Sequence, residues 1–577
     1  RPRLLPRHGV DVLFVVDVKV TDQLTAQFDI RAQADGQVHT DVTMAHDNTF
    51  TTGNQNITYD LAIKSGGQTL FSDANLTQNQ HSDIHQEVWS NGAPTTLVDP
   101  DVNYLIKTGA IPAFDTSIQI SDQTLSYEYS NYLASDHSIT GPALNVTYMP
   151  RTGQTAGTNV GLLTNWPVQY LLSEDPRAAE IMYGNADAAG NIPWDYRDEA
   201  TGAPVTIDDH PGMRLASRAG TGADALPEVP NTTNTGWTPE TAHAPAPYYL
   251  PYLLTGSHYY LDEMQFQAAW DLGVRNQVYR DGSEGLFTNN IGEQVRGVAW
   301  SLRDLADVAF ATPDADPMKA YFADKLNNNL DYIVQHYVQG GAMDAAGQLE
   351  GYLPGAYTAN ETPGWQQDFL AMTLQAMNQQ GFAQTVDILS WMNNYVSGRF
   401  LQADDGFDPA RAANYGMVIK DPSTGALFNT WDQAFTATFA GKTTFTYSDT
   451  GDPTSGGAYM ASAKGALAGI ITATESPEAV EAYGVVVGIT QHAGMIQDYS
   501  SMPKWAITPM LADGNYLQNT DITVAMGSAD QTVTGSNHDQ LLEGATGNDL
   551  VTGGTNIDLL FGNADKNTLS GNADKDY

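Results

Sequence analysis

Five glycines spaced nine apart, Gly535, Gly544, Gly553, Gly562 and Gly571, constrain the end of this 577-residue chain more tightly than any other feature constrains the rest. Around them run GSNHDQLLE, GATGNDLVT, GGTNIDLLF, GNADKNTLS and GNADKDY. The sixth position of each nine is Gln540, Asp549, Asp558, Asn567 and Asp576, and the eighth is Leu542, Val551, Leu560 and Leu569. A turn glycine, an oxygen ligand and an inward apolar residue in each nonapeptide predict short parallel strands coiled into a β-roll with Ca2+ in its turns. Asp549, Asp558, Asn567 and Asp576, with Asp539, Asp565 and Asp574 on the same turns, are the candidate calcium ligands.

The array resembles the RTX (repeats-in-toxin) family in degenerate form. The family's second and fourth glycines survive only as Gly554 and Gly547, and Asn or Gln stands at two of the five sixth positions. Fewer charged ligands mean weaker calcium binding. The resemblance covers about a tenth of the chain. It implies a secreted or cell-surface protein exported by one-step (type I) secretion machinery that reads an uncleaved C-terminal signal.

Composition agrees with export. The chain has no cysteine and carries 26 Lys and Arg against 67 Asp and Glu, a formal net charge of −41. Such a surface attracts divalent cations and repels nucleic acid and anionic membrane, although a generic acidic, salt-tolerant surface accounts for much of it. No apolar stretch is long enough to span a membrane. The start, RPRLLPRHG, lacks a Met and an apolar core of signal-peptide length, and reads as processed or incomplete.

Three textures predict a multidomain α+β protein. Residues 1–150 alternate apolar and polar at period two, as in LTAQFDIRAQ, VHTDVTMAH and ITYDLAIKS, with turn signals between them. They predict a β-sandwich or barrel of roughly eight to ten strands. Residues 151–515 change to helical period: Phe322, Leu326, Leu330, Ile333 and Tyr337 share one face. Helices are expected over 166–186, 247–273, 293–311, 317–338, 364–379, 383–400, 430–440, 459–473 and 477–490. So many helices without strand periodicity predict an α/α toroid of helical hairpins. Residues 516–577 form the third texture, leading into the nonapeptides.

A β domain joined to an α/α toroid resembles several polysaccharide lyase and glycoside hydrolase families. The phrases NWPVQYLLSEDPRAAEIMYGNADAAGNIPWDYRDEATGAPVTIDDHP, HAPAPYYLPYLLTGSHYYLDEMQFQAAW and EQVRGVAWSLRDLADVAF look like a family of secreted bacterial toroid proteins beside the exo-acting rhamnogalacturonan-lyase-like group. The resemblance implies an extracellular polysaccharide as substrate and transfers no catalytic residue.

The candidate chemistry lies in three clusters. The first is Trp194, Asp195, Tyr196, Arg197 and Asp198 with Asp208, Asp209 and His210, where rings could stack on sugars and Arg197 could fork a carboxylate. The alternative is a loop whose carboxylates cap helices and pair with Arg197. The second is His243, Tyr248, Tyr252, His258, Tyr259, Tyr260 and Glu263. Elimination from a uronate needs a base and an acid, and His243 with Tyr248 or Tyr252 would supply them, whereas single tyrosines here more commonly belong to a core. The third is Tyr352, Tyr357, Trp365 and Asp368 before one helix and Trp431 with Asp432 before another, as subsite walls or helix-start residues. Nine of 15 arginines fall between 151 and 303 and no lysine between 108 and 318. That concentration suits an acidic glycan, with Arg296 beside Trp300 as a substrate clamp, or else staples helices together.

Phosphate-loop, HExxH, CxxC and GxSxG signatures are absent. His81 and His85 are four apart like metal ligands but fall on strand or loop rather than helix. The leading expectation is a lyase on an acidic, uronate-containing extracellular polysaccharide. A glycoside hydrolase using two carboxylates and a non-catalytic glycan-binding or self-assembling surface protein are the alternatives.

Overall fold

The computed structural model describes residues 3–571 except 7–11, 34–35, 51–54, 94–96, 141–160, 216–223, 225, 227–238, 342–348, 356–359, 403–408, 443–458, 493–498, 512–514, 518–520, 525–529, 537–539, 545–546, 555–557 and 563–565. It is a mixed α and β protein. Contacts divide it into two compact units. The first holds Arg1–Pro100, Asp122–Asn290 and Asp304–Asn329, and the second Asp101–Ser121, Ile291–Arg303 and Leu330–Tyr577.

Seven strands open the first unit: β1 (Arg3–Pro6), β2 (Val12–Lys19), β3 (Thr25–Ala32), β4 (Val38–His46), β5 (Ile57–Ser65), β6 (Gln68–Gln78) and β7 (Ser82–Trp89). An antiparallel sheet runs in the order β1-β2-β3-β4-β7, and β5 and β6 form a separate hairpin. The period-two alternation sorts the larger sheet into two faces. Ala26, Met44 and Ile84 form one apolar face, packed with Leu24, Phe28 and the hairpin's Ile57, Tyr59 and Leu61. The opposite face is polar and charged. Its register sets Asp29 beside Asp41, Gln27 beside Thr43, and Ala45 beside Asp83.

The β texture does not continue to residue 150. Helices α1 (Val102–Lys107) and α2 (Asp122–Ala134) follow the last of these strands. The helix expected over 166–186 is two, α3 (Asn165–Ser173) and α4 (Pro176–Ala189), broken where Glu174 turns left-handed (φ 53°) before the Asp175 cap and Pro176. The one expected over 247–273 is also two, α5 (Tyr249–Thr255) and α6 (His258–Val274), parted by Gly256 at φ 60°. Next come α7 (Val295–Ala311) and α8 (Pro317–Ile333), the latter running into a π-helical turn, Val334–Val338.

The second unit adds α9 (Gly364–Gln379), α10 (Thr385–Val396), α11 (Trp431–Phe439), α12 (Tyr459–Thr474) and α13 (Pro477–His492), with a small ladder of β8 (Glu361–Thr362) on β9 (Met417–Val418). Helices α9, α10, α12 and α13 pack on one another. No helix among the described residues is long and apolar enough to cross a membrane.

Among the described residues six short strands follow: β10 (Ile522–Val524), β11 (Thr532–Thr534), β12 (Gln540–Glu543), β13 (Leu550–Thr552), β14 (Asp558–Phe561) and β15 (Thr568–Ser570). They form two three-stranded parallel sheets, β10-β12-β14 and β11-β13-β15. Thr532 pairs with Leu550 and Leu550 with Thr568, so each strand lies on the one two nonapeptides away. Val533, Leu542, Val551 and Leu560 fill the space between the sheets, while the last eighth-position residue, Leu569, is 49% exposed. Gly554 is obligatory, because a Cβ there would sit 1.4 Å from the Ser536 carbonyl oxygen.

Candidate functional site

A cleft of about 1430 Å³ opens over the charged face of the first unit's larger sheet. Strands β2, β3, β4 and β7 supply Asp17, Asp29, Asp41, Thr43 and Asp83, and α6 supplies His258, Tyr259, Asp262 and Phe266. Phe50 and the loop through Arg197 and Glu199 line it as well. Among the described residues nine carboxylates line this cleft against Lys19, Arg197 and His258. Its field therefore favours neutral or cationic ligands.

The two register-opposed carboxylates differ in protonation. Burial raises the Asp29 carboxyl to about 6; His258 and Arg31 oppose the rise, while Asp262 and Asp41 add to it. Burial would raise Asp41 too, but the hydrogen bond and charge of His85, with His39 and Arg31, hold it below the ordinary carboxylate value. His85 lies between two acids, 3.1 Å from Asp41 Oδ1 and 2.9 Å from Asp187 Oδ1, and stacks on Tyr259 at 4.0 Å. Burial opposes its charging, but those carboxylates raise it to about 10. Arg31 donates to the carbonyls of Thr255 and Gly256, tying β3 to the end of α5.

Beneath the cleft lies a second group. Asp83 from β7, Asp195 from the loop after α4 and Glu263 from α6 bring carboxylate oxygens within 4.8 Å of one another, each residue buried. Backbone bonds place them: Asp83 N–H donates to Gly190 O (2.7 Å) and Asp195 N–H to His81 O (3.0 Å). Gly190 permits the approach, since a Cβ there would meet the Tyr259 hydroxyl at 2.3 Å. Arg197 pairs with Asp47, reaches within 3.9 Å of Asp83 and lies over the Phe266 ring at 4.5 Å. Burial and mutual repulsion hold Asp83 and Asp195 well above the usual carboxylate range. Burial raises Glu263 as well, while the Tyr248 hydroxyl and the Trp194 indole N–H face it and favour its charged form without reaching ordinary hydrogen-bond geometry. These three are the acidic group among the described residues whose oxygens converge closely enough to hold a metal ion.

Only part of the sequence-derived candidate set lines the cleft. Arg197 does, and so do His258 and Tyr259. Trp194 and Tyr196 are buried, the latter stacked on His81 at 4.1 Å, so neither is a sugar platform. His243 is 9% exposed and pairs through Nδ1 with Glu240. Tyr248 is buried and Tyr252 half-buried; neither is among the cleft's lining residues. Asp208 binds Lys325 at 2.7 Å, Asp209 accepts from Thr206, and His210 stands 3.8 Å from Asp224.

In the second unit Arg296 lies over Trp365 at 5.9 Å, Trp300 packs edge-on to Phe369, and Trp431 is buried against Tyr395 and Phe435. Tyr357 lies outside the described residues, as do Asp539, Asp565, Asp574 and Asp576. Asp549, Asp558 and Asn567 are described, and each accepts a backbone N–H from two nonapeptides earlier, those of Gln531, Gln540 and Asp549. Several of the concentrated arginines act as staples: Arg177 pairs with Asp122 and Asp175, and Arg280 donates to the carbonyls of Pro211 and Met213.

Sequence reasoning missed Asp29, Asp41 and Asp83. The signal was present in the density of titratable residues at alternate strand positions: Asp29, Arg31, His39, Asp41, His85 and Glu87. Against protein-family models, curated proteins and solved structures the chain finds no match.

Proposed function

We propose that the first unit is a glycoside hydrolase acting on a neutral or cationic extracellular polysaccharide, with Asp29 as general acid and Asp41 as its ionised partner. The observation that carries this reading is the pair itself: neighbouring carboxylates on one cleft face, one raised to about 6 and the other held low. Environments that split two carboxyl pKa values assign acid and base roles. Opposed residues on neighbouring strands have Cβ atoms about 4.5–5.5 Å apart, which favours the short carboxyl spacing of double displacement over the wider one that admits a water. Phe50, 37% exposed on the cleft lining, offers a ring to a sugar face.

The cleft's charge counts against the uronate lyase, because an anionic chain would be repelled where it must bind. His243, the base that a lyase would use, is not a cleft residue and is held by Glu240. The parallel strands paired two nonapeptides apart and their apolar interior support an RTX-type β-roll; calcium binding and type I secretion are what that resemblance would imply. Helices α9, α10, α12 and α13, packed on one another, suit helical hairpins, the unit from which a toroid would be built.

The test is product chemistry on a panel of neutral and amino-sugar polysaccharides. Hydrolysis releases reducing ends with no ultraviolet-absorbing unsaturated sugar, and Asp29→Asn abolishes it. Unsaturated products, or an undiminished Asp29→Asn, overturn the reading.

A further inference from the structure

Asp83, Asp195 and Glu263 form a group that the proposed reaction does not use. They come from a strand, a loop and a helix, and their exposures are 1%, 0% and 0%. Asp83 Oδ1, both oxygens of Asp195 and both of Glu263 make no hydrogen bond among the described residues. Ionised carboxylates only accept, so they cannot satisfy one another. Arg197 is the cation in reach, and Asp47 already holds its Nε. Burying unpaired charge is among the most costly things a fold can do, so the group either keeps protons, in line with its raised carboxyls, or exchanges them for a cation.

We propose that these three carboxylates bind one hard divalent cation beneath the cleft. The geometry suits such an ion: Ca2+ takes oxygen ligands at about 2.3–2.6 Å, so two ligands on opposite sides of it stand about 5 Å apart. The three ligand oxygens lie within 4.8 Å of one another. Asp195 carries the point furthest, because neither of its oxygens has another partner although the residue is fully buried. Beside the group, the Tyr248 hydroxyl and the Trp194 indole N–H face Glu263, the type of donor that supports a metal-binding carboxylate. Asp83 lines the cleft, which gives the ion a way in. Once bound, the ion ties β7 and the 190–197 loop to α6, the elements that carry one wall and part of the floor of the cleft.

The test uses the full chain stripped of metal, with Mn2+ as probe, and reads binding rather than turnover, so its outcome is separate from that of the hydrolase reading. The wild type binds one more Mn2+ per chain than Glu263→Gln or Asp195→Asn, whatever the nonapeptides bind. Hydrogen–deuterium exchange of the wild type alone localises the effect without relying on a variant that folds. Adding Mn2+ slows exchange in Ser82–Trp89 and His258–Val274. Equal ion counts in the wild type and a folded variant overturn the proposal, as does protection confined to residues 515–577.

Discussion

Asp29 is where the account is most exposed to test at the scale of the residue. Its folded value, about 6, lies above the ordinary 3.8. Between those two pH values the native state keeps a proton that the unfolded chain has released, so this group's stability contribution is complete below about 4 and lost as pH rises through 6. The loss amounts to about 3 kcal/mol at most. Asp29→Asn therefore raises the melting temperature at pH 7 and leaves it unchanged at pH 4, while lowering kcat by roughly 10²–10⁴-fold as removal of a general acid does. In the wild type, with Arg31, Asp41, His258 and Asp262 facing Asp29, kcat/KM holds below pH 6 and falls about tenfold per unit above it. A pH–rate profile flat through 6, or a destabilised Asp29→Asn at pH 7, contradicts the assignment. In the second unit, Arg399 and Asp368 form a buried ion pair. Arg399→Leu costs about 3–5 kcal/mol in denaturant unfolding, and the double variant with Asp368→Leu recovers most of it, because a lone buried charge costs more than an apolar pair.

Among the elements, the nonapeptides and the alternating strands were legible and the faces of the sheet were not. Period nine forces one backbone geometry, and the eighth-position residues Leu542, Val551 and Leu560 do line the interior. Period two forces a strand but leaves its polar face ambiguous: Asp29 and Asp41 read the same whether water or a cleft covers them. The missing information is register, which sets Asp29 beside Asp41, and tertiary packing, which brings Asp83 to Asp195 and Glu263 across long stretches of chain. The loop Trp194–Arg197 and Glu263 stood out because their neighbours in sequence were already dense in aromatic and charged groups. Their role did not, since burial turned the aromatic rings into packing. The helical breaks at Glu174 and Gly256 had local signatures in Asp175-Pro176 and Gly256-Ser257 that the longer apolar period masked. Within the nonapeptides, Leu542→Ala costs about 2–5 kcal/mol of local stability, and Leu569→Ala, on the exposed final strand, less than about 0.5. Limited proteolysis of residues 515–577 in the full chain reads both. Equal sensitivity of the two variants contradicts the interior packing.

For the whole molecule, a formal charge of −41 has two consequences that pull apart. It favours divalent cations, and it discourages the acidic glycan that the arginine concentration first suggested. The arginines resolve the tension from inside, since Arg177, Arg197 and Arg280 bind the chain's own carboxylates and carbonyls. If the nonapeptides bind calcium as proposed, its removal is expected to open the segment from Gly535 onward to protease and its addition to close it, because binding and folding of such repeats are linked. Equal protease resistance with and without calcium contradicts the β-roll reading. The central claim, hydrolysis in the cleft over the charged sheet face, is tested most directly by comparing the products of the wild type, Asp29→Asn and His243→Ala on one cleavable polysaccharide. The account predicts new reducing ends without unsaturated sugars, lost in Asp29→Asn and kept in His243→Ala. Unsaturated ends that vanish in His243→Ala and persist in Asp29→Asn would contradict it.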